Sequence, residues 1–363
     1  MTVLEQIKTL IGFDTTSRGS NLALIDYAEE LLTASGARCR RSYDVTRAKA
    51  NLFASFGPEM EGGYVLSGHT DVVPVDGQDW SSDPFKAEVR DGKLYGRGAC
   101  DMKGFIGVAL SLAPDIAKAK LKRPIHFALS YDEEVGCNGV LRLLEDLKDA
   151  NIKPALAILG EPTLMRVVGA HKAGAVLHTT CRGHEGHSSA PEKGANAVMM
   201  AGEFVKLLDD VWNGLRDDTD PRFDPPHSTV QANMISGGTA TNILAREALV
   251  TWEYRALPDR DAGAIVDTVK RRAGAELLPK YASRAPEAAF ETILHAAYPG
   301  LVMDEDSPAI ALAREVTGAN RVEAVACIAA SGKHSPWCMA WSEAQRLALA
   351  GDLRYRNGDY DPA

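Results

Sequence analysis

The chain has 363 residues, which is enough for about two domains at roughly 100–200 residues each. Hydrophobic residues make up 45% of it and charged residues 25%, values that are ordinary for a folded globular protein. This composition excludes disorder as the main state and excludes collagen-like and coiled-coil architectures. There are 40 basic and 49 acidic residues, a formal net charge of −9, so we expect no nucleic-acid partner.

Nothing in the sequence indicates a membrane or secreted protein. No apolar run approaches the roughly 18 residues that a membrane-spanning helix needs. Residues 1–10 include Glu5 and Lys8 and lack the apolar stretch of a signal peptide. The six cysteines are scattered singly without a C-x-x-C pair, which argues against a disulfide framework or a cysteine-rich zinc site. We therefore expect a cytoplasmic protein with no membrane partner.

The N-terminal third alternates strand-length apolar runs with helical patterns, and the same alternation continues to about residue 159. The spacing of Leu24, Ala28 and Leu32 predicts a helix over 21–35 that ends at Gly36. The other predicted helices cover about 103–120 and 138–150, and the predicted strands cover 52–56, 64–67, 125–130 and 155–159. Strands that alternate with helices are typical of an α/β sheet covered on both faces.

The pattern changes near Ala173. Residues 174–182 and 247–255 alternate like half-buried strands, which is typical of a sheet with one open face. Helices are predicted over about 195–210 and 262–277, and a proline-containing loop over 213–227. We expect an α/β fold: a domain at 1–173 and 291–363 with a mixed, mostly parallel sheet flanked by helices, and an inserted smaller α+β domain at 174–290.

Residues of the types that can act as metal ligands follow the predicted strands of the first domain. They are His69 and Asp71, Asp101 before a helix, Glu133 and Glu134 after the strand 125–130, and Glu161 after the strand 155–159. Taken singly, each also fits a solvated turn or, for Asp101, a helix N-cap. Together they form an N/O ligand set that suits zinc, cobalt or manganese. Of the adjacent pair, one glutamate would hold a metal while the other acts as a general base.

Gly96 and Gly98 precede a helix, but no third glycine follows at the spacing of a phosphate-binding loop. A nucleotide-binding domain is therefore not expected.

The order and spacing of several motifs resemble the M20 family of metallopeptidases and amidohydrolases over about residues 1–270. The motifs are GHTDVVP (68–74), YGRG (95–98), DMKG (101–104), DEE (132–134), GEPT (160–163), GHSSAP (186–191) and GANA (194–197). Within that family, the stretches VPVDGQ (73–78), DPF (83–85) and YDEEVGC (131–137) are similar to the acetylornithine deacetylases.

The resemblance implies roles for the residues of the first domain. It implies two divalent ions, zinc or cobalt, of which one is bound by His69 and Glu161 and the other by Glu134. Asp101 would bridge the two ions. Glu133 would be the general base, and Asp71 would orient His69.

The resemblance also implies that the inserted domain is a lid and dimerisation domain. His187 would polarise the scissile carbonyl, often across a dimer interface, and its alternative is an ordinary polar loop histidine. Asn242 and Arg255 would hold the substrate, Arg255 through a bidentate contact to a carboxylate. The alternative for Arg255 is a surface ion pair. A homodimer would follow if the inserted domain pairs edge strands with a second copy.

The C-terminal part departs from the family pattern. Members usually carry a Gly-Thr-Glu motif and then an Ala-His motif, whose histidine completes the second metal site, and neither is readable after Val325. His334 is the last histidine, but the residues around it do not match. We expect the last ~38 residues to be divergent or to come from a shifted reading frame, so that the second ion is held weakly.

The resemblance implies hydrolysis of N2-acetyl-L-ornithine to L-ornithine and acetate, in arginine biosynthesis, with a small N-acyl amino acid as the bound partner. The alternatives within the family are succinyl-diaminopimelate desuccinylase, aminoacylase or dipeptidase activity. An alternative of another class is a catalytically impaired binding protein, because the C-terminal ligand motif is missing.

Overall fold

The structure, a computed structural model, describes residues 1–163 and 165–325 and the backbone of residues 337–339. Contacts between residues divide the chain into two units. The first contains Met1–Gly169 and Met303–Glu323, and the second contains Ala170–Val302.

Helices and strands are numbered along the chain. The α-helices are α1 (Val3–Ile11), α2 (Leu22–Ala34), α3 (Lys103–Ser111), α4 (Ala113–Lys118), α5 (Asn138–Asp149), α6 (Ala197–Gly214), α7 (Gly263–Arg272), α8 (Pro279–Ala282) and α9 (Pro308–Thr317). The strands are β1 (Arg38–Tyr43), β2 (Ala50–Phe56), β3 (Tyr64–His69), β4 (Glu88–Arg90), β5 (Lys93–Tyr95), β6 (Ile125–Ser130), β7 (Leu156–Leu159), β8 (Val167–His171), β9 (Ala173–Arg182), β10 (Gly186–His187), β11 (Thr229–Gly237), β12 (Ile243–Leu244), β13 (Glu247–Ala256), β14 (Ala289–Tyr298), β15 (Leu301–Val302), β16 (Val322–Val325) and β17 (Trp337–Met339). A 3₁₀ turn covers Pro191–Lys193 and a π-helical turn covers Ala273–Leu277.

The first unit is built on a six-stranded sheet in the order β1-β2-β6-β3-β7-β17. Strand β3 runs parallel to both of its neighbours, β6 and β7. The other pairings, β1 with β2, β2 with β6 and β7 with β17, are antiparallel. The predicted mixed α/β class is confirmed, but the parallel character is confined to the three central strands instead of extending over most of the sheet.

Helices cover both faces of this sheet. On one face Leu24 and Leu32 of α2 and Leu110 of α3 pack with Leu52 and Phe127 of the strands. On the other face α5 buries Leu143 and Leu147 against residues of β2, β3 and β6. Every residue of β2 is buried, as expected for a strand with both faces covered.

The second unit contains a four-stranded antiparallel sheet in the order β11-β13-β9-β14. One face packs against α6 and α7, where Trp252 is fully buried and meets Phe204 of α6 edge to face at 6.3 Å. Residues of β13 alternate between buried and partly buried, so the predicted alternation is confirmed. Strand β14 pairs with β9, and the second unit therefore extends to Val302, whereas the sequence pattern places the boundary near residue 290.

Two predicted helices differ in detail from those observed. The helix predicted over about 103–120 is interrupted at Leu112, because Pro114 has no N–H group and lies in the first turn of a new helix. The helix predicted over about 262–277 changes to a π-helical turn after Arg272. Among the helices of the described residues, none combines the length and apolar character that crossing a bilayer requires.

Candidate metal centre

The three parallel strands bring the predicted ligands to one edge of the sheet. Strand β3 ends at His69, the acidic turn with Glu133 and Glu134 follows β6, and Glu161 lies two residues after β7. The carboxyl ends of parallel strands lie at the same edge, where open α/β sheets bind ligands. Gly160 allows α3 to approach closely, because a Cβ at this position would lie 1.8 Å from the ring of Phe105.

His69 is the centre of the cluster and is 2% exposed. Its Nδ1 lies 2.9 Å from the backbone carbonyl of Asp71, which leaves Nε2 facing the carboxylates. Nε2 lies 2.9 Å from Oδ1 of Asp101, 3.6 Å from Oε1 of Glu161 and 3.9 Å from Oε2 of Glu133. These contacts join residues from four parts of the chain.

The potential ligand atoms form two groups that share His69. In one group, His69, Asp101 and Glu161 each offer an atom within 4.8 Å of the others. In the second group, His69 lies with Glu133 and Glu134 within the same distance. The structure thus brings together all the residues of the first domain to which the resemblance assigns a metal ligand or the general base.

The carboxylate of Asp71 holds the acidic turn. Its Oδ1 accepts a hydrogen bond from the amide of Glu133 at 3.1 Å, and its Oδ2 accepts one from the amide of Glu134 at 3.2 Å. The distance from Oδ1 to Nδ1 of His69 is longer, at 3.5 Å. Asp71 therefore contacts His69 mainly through its carbonyl, and its side chain positions the two glutamates.

Burial and like charge shift the titration of the acidic groups. Burial raises the pKa of Glu133 to about 7 and that of Glu134 to about 8, and the charge of Asp101 acts in the same direction. Burial also raises the pKa of Glu161 well above its usual range. Burial acts to lower the pKa of His69, but the hydrogen bonds with Asp101 and Asp71 and the charges of the nearby glutamates together outweigh burial, so the pKa is raised. Such a group of acids is stabilised by a positive charge at its centre.

The side chains present fit divalent cations. Oε2 of Glu134 is buried and has no hydrogen-bond partner among the described residues. A buried carboxylate oxygen without a partner is costly unless a cation binds it. The donors are one imidazole and several carboxylates, the set that zinc and cobalt accept in hydrolytic sites.

The predicted substrate residues lie in the second unit. His187 is exposed on β10, and its Nδ1 lies 2.8 Å from Oγ of Ser189. Asn242 is exposed, and its carbonyl accepts a hydrogen bond from the amide of Ser188 at 2.9 Å, so these two segments are neighbours.

Arg255 lies on β13, partly buried. Its guanidinium donates to Oε2 of Glu253 at 2.8 Å and lies 5.4 Å from the ring centre of Tyr298. The ion pair that was the alternative for Arg255 is thus present in the structure.

Some contacts of the centre have no signal in the sequence. Oγ of Ser17 donates to Oδ2 of Asp71 at 2.7 Å across 54 positions of the chain. Lys49 forms an ion pair with Asp132, beside the two glutamates. Neither residue belongs to a metal-binding motif, and only the fold places them here. His334 and the proposed divergence of the last ~38 residues lie outside the part of the chain whose side chains are described.

A mixed α/β sheet that gathers a histidine and several carboxylates at the ends of its parallel strands defines a candidate metallohydrolase. The model of peptidase family M20/M25/M40 matches residues 65–350, and the chain belongs to this family. The resemblance seen in the motifs is thereby confirmed, and with it membership of a family of hydrolases.

Two curated relatives are acetylornithine deacetylases. The chain is 40% identical over 256 residues to the one from Myxococcus xanthus, a match that covers 69% of this chain and 65% of the relative. It is 32% identical over 307 residues to the one from Proteus mirabilis (strain HI4320), covering 84% of this chain and 77% of the relative. The match thus spans less than two thirds of the length of the first relative.

The fold is also similar to a solved structure. Human carnosine dipeptidase 1 superposes with a TM-score of 0.69 at 15% identity, over 96% of this chain and 95% of that protein. At this identity the similarity concerns the fold alone.

Proposed function

We propose that this protein is a metal-dependent amidohydrolase that converts N2-acetyl-L-ornithine to L-ornithine and acetate, a step of arginine biosynthesis. The observation that carries the proposal is the convergence of His69, Asp101, Glu134 and Glu161 beside Glu133. The choice of substrate is supported by the identity of 40% and 32% to acetylornithine deacetylases.

In this proposal His69, Asp101, Glu134 and Glu161 hold divalent ions, zinc or cobalt, which would supply Lewis-acid stabilisation of negative charge. Glu133 accepts a proton from the attacking water, whose oxygen adds to the acetyl carbonyl carbon. When the C–N bond breaks, Glu133 returns the proton to the leaving amine, and acetate and ornithine are released. Without bound ions, burial raises the pKa of Glu133 to about 7, and the charge of bound cations would lower it, so that the carboxylate is ionised and can accept the proton at neutral pH.

The second unit would bind the substrate. His187 would donate a hydrogen bond to the acetyl oxygen as negative charge develops on it. Asn242 would bind polar groups of the amino acid, and Arg255 would bind its carboxylate through guanidinium nitrogens that Glu253 does not engage. Exchange of His187 for Ala would then lower kcat, whereas exchange of Arg255 for Lys would mainly raise KM.

We also propose a homodimer in which β11 pairs with its copy. Strand β11 is an edge strand, and its residues Met234 and Ile235 are 69% and 55% exposed. An exposed apolar edge favours association with another strand. The variant Ile235→Arg should then be monomeric in light scattering at concentrations where the wild type is dimeric, and a monomeric wild type contradicts the dimer.

A kinetic screen tests the reaction. The purified protein is treated with a chelator, restored with zinc or cobalt, and assayed on N2-acetyl-L-ornithine, N-succinyl-diaminopimelate, other N-acetyl amino acids and dipeptides. The proposal expects metal-dependent release of acetate with the highest kcat/KM for N2-acetyl-L-ornithine. A higher kcat/KM for another substrate replaces the assignment, and ligand binding without turnover supports the impaired binding protein.

Metal analysis of the same preparation tests the predicted defect of the second site. We expect one ion per chain to be held tightly and the other to be lost on dialysis. Two ions retained per chain would refute the missing-ligand hypothesis.

A further inference from the structure

The acidic turn that carries Glu133 and Glu134 is held by side chains from distant parts of the chain. Asp71 accepts hydrogen bonds from both glutamate amides, so the backbone of the turn is fixed relative to the end of β3. Asp71 itself is 2% exposed. What holds the Asp71 carboxylate in place therefore also determines where the two glutamates lie.

Ser17 holds Asp71 through Oδ2, the same oxygen that accepts the amide of Glu134. Its hydroxyl donates to Oδ2 of Asp71 at 2.7 Å, and its amide donates to the carbonyl of Val72 at 3.1 Å. Ser17 is 6% exposed, so water has little access to replace its hydroxyl. The hydroxyl thus stabilises one orientation of the Asp71 carboxylate.

Lys49 connects Ser17 to the turn a second time. Its ammonium group donates to the carbonyl of Ser17 and to Oδ1 of Asp132, both at 2.5 Å. The Lys49 and Asp132 side chains are only 18% and 16% exposed, so this ion pair is shielded from solvent. Asp132 has a φ of +55°, a left-handed conformation that a non-glycine residue adopts only when its surroundings support it.

We propose that Ser17 and Lys49 are positioning residues for the reaction: they lock the turn Asp132–Glu134 in the conformation that presents Glu133 and Glu134 to the metal centre. The role rests on the proposed function for its catalytic consequence. Asp71 fixes the backbone of the turn, Ser17 orients Asp71, and Lys49 joins Ser17 to the side chain of Asp132. Neither Ser17 nor Lys49 is one of the candidate metal ligands of the centre.

The expected effect is on the chemical step more than on substrate binding. A displacement of about 1 Å of a catalytic group can cost about 100-fold in rate. We expect Ser17→Ala and Lys49→Met to lower kcat by about 10- to 100-fold, within this bound, while KM changes by less than about threefold. Lys49→Arg, which keeps the charge, should restore part of the loss.

Matched controls are available in the same unit. Ser55 is a serine that is 8% exposed, and its hydroxyl contacts Nδ1 of His126 at 2.8 Å, near the opposite end of β6 from the acidic turn. Arg41 has an 18% exposed side chain, as Lys49 has, and forms ion pairs with Asp26 and Glu29. Ser55→Ala and Arg41→Met should leave kcat within about twofold of the wild type, because the contacts of these two side chains involve neither the metal centre nor the acidic turn.

Hydrogen exchange of the metal-free protein tests, without any substrate, whether Ser17 and Lys49 hold the acidic turn in place. The amides of Glu133 and Glu134 should exchange about fivefold faster or more in Ser17→Ala and Lys49→Met, since one hydrogen bond is weakened in each. They should be unchanged in Ser55→Ala and Arg41→Met. Unchanged exchange of these amides, or equal kcat losses in variants and controls, would overturn the proposal. If the wild type hydrolyses no N-acyl amino acid, the proposed function fails. The exchange rates still decide whether Ser17 and Lys49 hold the acidic turn in place.

Discussion

Exchange of Glu133 for Gln tests the assignment of the general base. The substitution keeps the size of the side chain and removes its ability to accept a proton. Oε2 of Glu133 lies 3.9 Å from Nε2 of His69. The carboxylates of Asp101 and Glu161 lie closer to the same nitrogen of His69, at 2.9 and 3.6 Å. Because the closer carboxylates remain, the variant should still bind divalent ions.

The expected loss of activity follows from the role of the base. General-base catalysis typically contributes about 10²- to 10⁴-fold, or roughly 3–5 kcal/mol of transition-state stabilisation. We expect kcat of Glu133→Gln to fall by that factor in a steady-state acetate-release assay, with metal content equal to that of the wild type. Glu145→Gln on α5 removes a charge from an exposed ion pair with Arg142 and should behave as the wild type. Turnover of Glu133→Gln within tenfold of the wild type would refute the assignment.

Three further predictions concern stability. Burial lowers the pKa of His126 to about 4 from an ordinary 6.5, so the unfolded chain binds the proton first and stability falls as pH drops from about 6.5 towards 4. Between pH 8 and pH 5 the free energy of unfolding should fall by about 2 kcal/mol because of His126. Urea unfolding of His126→Gln at the two pH values should show a fall that is smaller by this amount. An equal fall in the variant and the wild type would contradict the prediction. Trp252→Ala should cost about 3–5 kcal/mol, because Trp252 is fully buried, and a loss below about 1 kcal/mol in the same assay would be inconsistent with its packing. Zinc at about 100 times its Kd should raise the free energy of unfolding by about 2.7 kcal/mol over chelated protein, and should raise it less in Glu134→Gln; no difference between chelated and zinc-bound protein would argue against a folded-state site.

Much of the fold was predictable because the pattern is local. The apolar runs of β2, β3, β6 and β7 are bounded by polar or turn residues, and the predicted strands agree with those observed to within about two residues. Strand β1 was not predicted, because its sequence RCRRSY has three arginines and no apolar alternation. It forms a strand because it pairs with the fully buried β2. This is a tertiary effect, which the intrinsic strand propensity of the segment does not describe.

The site was predictable to the extent that its residues follow strand ends. His69, Glu134 and Glu161 each lie at or just after such an end, so the parallel order of three strands is enough to gather them. The contact between Ser17 and Asp71 depends on how the segment before α2 passes over the end of β3, and no short motif encodes it. The side chain of Asp71 also accepts the amides of the acidic turn, a contact that no sequence motif indicates, while its Oδ1 lies 3.5 Å from Nδ1 of His69.

Anomalous scattering from crystals of the zinc-bound protein would locate the ions themselves. We propose that a histidine and three acids from distant parts of the chain hold divalent ions together. We therefore expect an anomalous peak in contact with His69, Asp101 and Glu161, with Glu134 beside any second ion. Zinc bound only at other residues, or these side chains turned away from one another at full zinc occupancy, would contradict it.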